Sequence, residues 1–105
     1  MRSSRSRGRQ GPLFCALRLE LELPYALSLK DKRQTLRSLK DRLRRKNVSV
    51  VEADHQDLWQ RATVELALAA QGRRAAEEKR EEIRRTLLNY EELAILEWRE
   101  EFVKL

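Results

Sequence analysis

LFCALRLELEL, residues 13–23, is the stretch whose reading decides the fold. Its odd positions, Leu13, Cys15, Leu17, Leu19, Leu21 and Leu23, are all apolar, and its even positions turn polar from Arg18 onward. Successive side chains of an extended strand point to opposite faces, so a period of two predicts a strand with one face in a core and the other towards water. Pro24 lacks a backbone donor and ends the strand. A strand with one buried face needs a covering layer, and the next segment supplies it.

Residues 28–46, SLKDKRQTLRSLKDRLRRK, predict a helix, with Ser28 and Asp31 spaced as a capping box at its start. At about 100° per residue, Leu29, Leu36, Leu39 and Leu43 share one face. Lys30, Arg33, Arg37, Lys40 and Arg44 line one edge beside it, while Arg42 and Lys46 flank the other side. Residues 48–53 are β-branched and short, a second strand. The loop DHQDLWQR, residues 54–61, separates them from a third strand at 63–70, where Val64, Leu66, Leu68 and Ala70 alternate with Thr63, Glu65, Ala67 and Ala69. Gly72 punctuates before a second helix at about residues 73–90, with the stripe Ala76, Ile83, Leu87 and Tyr90. Residues 93–103 alternate again, Leu96, Trp98 and Phe102 against Glu97, Arg99 and Glu101. The order βαββαβ predicts an α+β, ferredoxin-like fold: a four-stranded antiparallel sheet with two helices on one face and the other face open.

A chain of 105 residues with 41% hydrophobic content fits one core and not two, so residues 13–105 are read as a single domain. Residues 1–12, MRSSRSRGRQGP, are read as a disordered basic tail. No apolar run approaches the roughly 18 residues that span a bilayer, and no apolar core follows the N-terminal arginines, so the expected setting is cytoplasmic with no membrane contact. The single cysteine, Cys15, excludes an internal disulfide and reads as a small buried hydrophobe.

The formal charge of +6 is unevenly placed. The tail carries +4, residues 28–46 carry +7, and residues 13–27, 47–61 and 62–105 are each mildly acidic. In the second helix Glu77 and Arg80, Glu81 and Arg84 or Arg85, and Glu82 and Arg85 are spaced to neutralise one another. The first helix has only Asp41 to offer Arg44 and Arg45. Its other cations repel, and a polyanion relieves that repulsion.

At SLKDKR (residues 28–33), NVSV (47–50), Glu52 and DHQDLWQRA (54–62), the chain resembles a bacterial family of uncharacterised proteins, the YlxP-like family, also called domain of unknown function 503. The resemblance runs in register from about Leu17 to Ala70. It implies a ferredoxin-like fold, in agreement with the pattern reading. Members are often encoded near translation factors and a ribosome-maturation factor, which implies an RNA-linked or ribosome-linked role, and no catalytic activity is known among them. The arginine-rich tail precedes the usual start, and Lys46 and Cys15 stand where an aromatic residue and a glycine are common.

The expected function is therefore a non-catalytic binding protein that contacts RNA or a ribosomal particle through Lys30, Arg33, Arg37, Lys40 and Arg44, recognising backbone rather than base sequence. The alternative is a protein-interaction module or homodimer using the open sheet face around Ala16, Ala67 and Ala69. Asp54, His55, Gln56, Asp57, Trp59, Gln60 and Arg61 form either a structural loop, with Trp59 plugging the core, or a recognition loop. His55 with Asp57 lacks the further ligands a transition metal needs, no nucleophile accompanies the histidine, and no phosphate-cradling glycine loop exists. No cofactor, metal or enzyme activity is expected.

Overall fold

The computed structural model describes residues 11–55 and 57–105. Residues 1–10 of the basic tail, and Gln56 of the loop, lie outside the described residues. The elements run β1 (Pro12–Glu22), α1 (Leu29–Arg44), β2 (Ser49–Asp54), β3 (Arg61–Gln71), α2 (Arg73–Leu88) and β4 (Ala94–Lys104). One sheet holds all four strands in the order β2-β3-β1-β4, with every neighbouring pair antiparallel. This is the α+β ferredoxin-like arrangement that the alternation and element order predict. Among the described residues no helix is long and apolar enough to cross a membrane.

The odd face of β1 organises the core. Leu19 lies opposite Val64 on β3 and Trp98 on β4. With Leu17 and Leu21 it packs among Leu36, Leu39 and Leu43 of α1 and Ile83 and Leu87 of α2. Each such leucine contributes roughly 1.5–3 kcal/mol by leaving water, which selects this strand register over a one-residue slip that would turn the whole row outward.

Local chemistry sets the helix ends. The Ser28 hydroxyl accepts the Asp31 N–H at 3.1 Å, and the Asp31 carboxylate accepts the Leu27 N–H at 2.9 Å. The reciprocal cap is thus present, shifted by one residue on its return bond. Gly72 precedes α2 with φ of 92°, a left-handed conformation that glycine adopts without a Cβ clash.

Several boundaries and faces differ from the sequence reading. Pro12 already belongs to β1, and β3 begins at Arg61, so the loop is shorter than DHQDLWQR. Leu96, expected inward with Trp98 and Phe102, is 49% exposed. The pairing of β1 with β4 shifts between Glu20 and Leu21, from Glu97 to Ile95, which leaves Leu96 as the extra residue of a bulge. Thr63, expected on the open face, is on that face by register but fully buried, because both oxygens of the Glu20 carboxylate accept its hydroxyl at 2.9 Å. Glu100 lies opposite the buried Leu17 and so sits on the helix side of β4, where Arg80 and the Trp98 indole donate to it at 2.7 and 2.8 Å.

Candidate nucleic-acid interface

The leucine stripe of α1 fixes which way its charged edges face. Leu36, Leu39 and Leu43 are buried, but Leu29, expected to join them, is only half buried. The first turn is anchored by Lys32, which is 1% exposed and which the leucine pattern passes over. Its ammonium donates to the carbonyl oxygens of His55 and, at 2.6 Å, Leu58, and pairs with Glu52 at 3.2 Å. Three acceptors thus meet the three donors of a lysine. The ammonium ties the start of α1 to the β2–β3 loop. At the other end of the helix, Arg44 Nη2 donates to the Val50 carbonyl at 3.5 Å. The edge carrying Arg33, Lys40 and Arg44 therefore runs along the β2 flank, away from α2.

The two flanks of α1 differ in how their cations are satisfied. On the α2 side, Lys46 pairs with Glu82 at 2.9 Å and Arg42 lies 5.1 Å from the centre of the Tyr90 ring. The Tyr90 hydroxyl also meets Ser38 at 2.8 Å. Glu82 is held below the usual carboxylate range, chiefly by the Lys46 hydrogen bond, which outweighs its partial burial. On the β2 side, Arg33 and Arg44 are exposed and Lys40 is half buried; Lys30 is exposed, and the exposed Arg37 lies on the outer surface of the helix beside Ser38, Asp41 and Arg42. Among the described residues, the carboxylates that pair with cations of α1 and of the residues just past it are Glu52 on Lys32 and Glu82 on Lys46. Asp41, expected to serve Arg44 or Arg45, forms no ion pair among them.

The arginines of α2 are differently placed. Arg73 pairs with Glu77, Arg74 with Glu78, Arg84 with Glu81, and Arg80 with both Glu81 and Glu100. Glu77 and Glu82 thus serve Arg73 and Lys46 in place of the expected Arg80 and Arg85. Arg84 also stacks 4.2 Å from the Trp98 ring centre, and Arg73 lies 4.5 Å from that of Phe102. For Glu100, burial is the largest single influence and raises its pKa. The Trp98 and Arg80 hydrogen bonds and the nearby arginine charges together outweigh it, so the carboxyl stays below its ordinary value.

The β2–β3 loop combines a structural underside with an exposed outer surface. His55 has φ of 61°, a strained setting for a non-glycine residue, and its N–H donates to the Asp54 carboxylate at 2.8 Å. Its ring nitrogen Nε2 is 3.5 Å from Glu20, which also lies 3.8 Å from Arg61. The Gln60 amide donates to the carbonyls of Pro24 and Ala26 at 3.4 and 3.2 Å. Trp59, expected to plug the core if the loop is structural, is 49% exposed. The loop is already secured by Lys32 and Gln60, so the indole is not needed as a plug. Asp57 is exposed as well, and among the described residues no cluster of three histidine, cysteine or acidic groups is disposed to hold a metal ion.

On the open face, Arg18 pairs with Glu65 across β1 and β3, as their register requires. Ala16 and Ala67 lie beside them with Val51 of β2, on the floor of a shallow concavity of about 640 Å³.

A family profile described as "Protein of unknown function (DUF503)" matches residues 14–100. The chain belongs to this family. A search of curated proteins finds no match to it. Of the stretches quoted for the resemblance, SLKDKR and DHQDLWQRA are joined in space by Lys32. The first supplies the ammonium and the second the carbonyls.

Proposed function

We propose that this DUF503 protein is a non-catalytic cytoplasmic RNA-binding protein that contacts phosphate backbone through Lys30, Arg33, Arg37, Lys40 and Arg44. The observation that carries this reading is that Lys30, Arg33, Arg37, Lys40 and Arg44 pair with no carboxylate among the described residues, whereas Lys46, just past the end of α1, pairs with Glu82 and Arg42 lies over the Tyr90 ring. Lys30 to Arg44 spans about 21 Å at 1.5 Å per residue, enough to follow several phosphates. The edge has no aromatic residue interleaved with its cations, which favours backbone contact over base readout. The resemblance of its motifs to proteins encoded beside translation factors makes ribosomal particles the natural source of that RNA.

Affinity for RNA is expected to fall with salt with a log–log slope of order −3 to −4, as about five charges displacing counterions require. Fluorescence anisotropy of labelled ribosomal RNA fragments between low and physiological salt measures it. Charge reversal at Arg33, Arg37 and Arg44 that leaves binding intact overturns the reading.

A second reading is favoured by the concavity on the open face. Its floor of Ala16, Ala67 and Val51, rimmed by the Arg18–Glu65 pair and Arg99, suits a protein partner or a second copy of the chain. Light scattering that finds a monomer unaffected by Ala67→Glu removes the homodimer.

A further inference from the structure

The sheet ends on β4, whose outer edge no other strand covers among the described residues. The backbone N–H and C=O groups along that edge are a template for another strand. The bulge at Leu96 interrupts only the start of β4, and from Glu97 to Lys104 its pairing with β1 is regular. Over this segment Glu97, Arg99, Glu101 and Val103 share the open face, and Trp98, Glu100 and Phe102 share the helix side. Edge charges commonly block strand pairing, but these are ordered so that the segment complements its own reverse.

We infer that β4 pairs antiparallel with the β4 of a second copy of the chain, about a two-fold axis at Glu100, joining two sheets into one. Residues directly opposite in such a pair point to the same face, so a symmetric register is centred on a residue. Centred on Glu100, Arg99 meets Glu101 of the second copy twice by symmetry on the open face. On the helix side Trp98 meets Phe102 twice, so that opposite-charge and aromatic cross-strand pairs form together. Centring on Arg99 instead sets Arg99 against itself and Glu97 against Glu101, and centring on Glu101 sets Glu101 against itself. Centring on Trp98 runs the pairing into the bulge. The single copy leaves these groups short of partners. Arg99 lies directly opposite Arg18, a like charge, and its pair with Glu97 is exposed and weakly held. Glu101 is in no ion pair among the described residues. Trp98 and Phe102, only partly buried against the core, gain a neighbour on their outer side. Glu100 meets its twin on the axis, but each is paired within its own copy with Arg80 at 2.7 Å. β2, which flanks α1, is the opposite edge of the sheet, so the inference goes beyond the RNA-binding reading and does not rest on it.

Sedimentation velocity of the full chain at concentrations up to about 1 mM reads the monomer–dimer constant, and the unaltered chain is expected to dimerise. Arg99→Glu and Glu101→Arg each set two like-charged pairs across the axis and should each weaken dimerisation about 5- to 30-fold. An equimolar mixture of the two variants should regain the unaltered affinity, because both pairs of a mixed dimer are again opposite in charge. That recovery also shows that both variants fold. Ala67→Glu, on the open face, should leave the dimer intact. An unaltered chain that stays monomeric overturns the inference, as does a mixture that associates no better than either variant alone. If Ala67→Glu dissociates the dimer and the edge variants do not, the interface is the open face and the inference is refuted.

Discussion

Replacing Lys32 by methionine keeps the aliphatic stem and removes the ammonium. The change strands the carbonyls of His55 and Leu58 and takes one partner from Glu52. Hydrogen bonds to a charged donor contribute about 1.5–3 kcal/mol each, and loss of one member of a buried ion pair costs about 3–5 kcal/mol in total. Glu52 is itself only 19% exposed but keeps a further interaction, so its own penalty is partial. A loss of about 3–5 kcal/mol is expected for Lys32→Met, a third or more of the stability of many small domains. Urea unfolding followed by circular dichroism measures it, and the melting temperature should drop by about 12–25 °C. The double variant Lys32→Met with Glu52→Gln should be less destabilised than the sum of its parts. A loss below about 1 kcal/mol for Lys32→Met, the value of an exposed pair, would refute the view that this lysine joins the two motifs.

Other consequences are simpler to check. Leu19→Asp places a carboxylate at the fully buried centre of β1 and should abolish the cooperative melt. A normal transition by circular dichroism would contradict the face assignment. Cys15 is buried in β1, and that burial, with Glu100 nearby, pushes its thiol pKa up. Native protein should therefore react slowly with iodoacetamide and quickly once unfolded, as mass spectrometry of timed samples would show. Glu82 and Glu100 have folded pKa values below the ordinary 4.5. The unfolded chain thus takes up their protons first as pH falls, and the stability they contribute is present above about pH 4.5 and lost below it. Glu100→Gln should flatten that acid limb in urea titrations at pH 3–5, whereas an unchanged limb would remove Glu100 as a contributor.

The architecture was legible because the physical signals were long and mutually consistent. Eleven residues of period two in β1, the leucine stripe of α1 and the Ala76, Ile83, Leu87 and Tyr90 stripe of α2 specify which faces meet. The errors lie where one residue outweighs a pattern. Lys32 falls among the leucines on the helix wheel, but nothing in its own segment reveals that three acceptors from the β2 end await it. The bulge at Leu96 inserts one residue and exchanges inward for outward, which alternation by itself cannot anticipate. The burial of Thr63 depends on Glu20, a neighbour only after strands pair. At the candidate site, the basic edge was visible as local charge without spaced acids, and the contrast between its two flanks emerged only once α2 was in place.

The claim that this edge binds RNA is tested most directly by two charge-matched variants. Arg33→Glu with Arg37→Glu alters the edge, and Arg74→Glu with Arg85→Glu makes the same change in net charge on α2, both at exposed positions. Anisotropy with one ribosomal RNA fragment at fixed salt should show binding abolished by the first pair and only modestly weakened by the second. Equal losses would reduce the effect to overall charge, and retention of binding by the edge variant would contradict the claim.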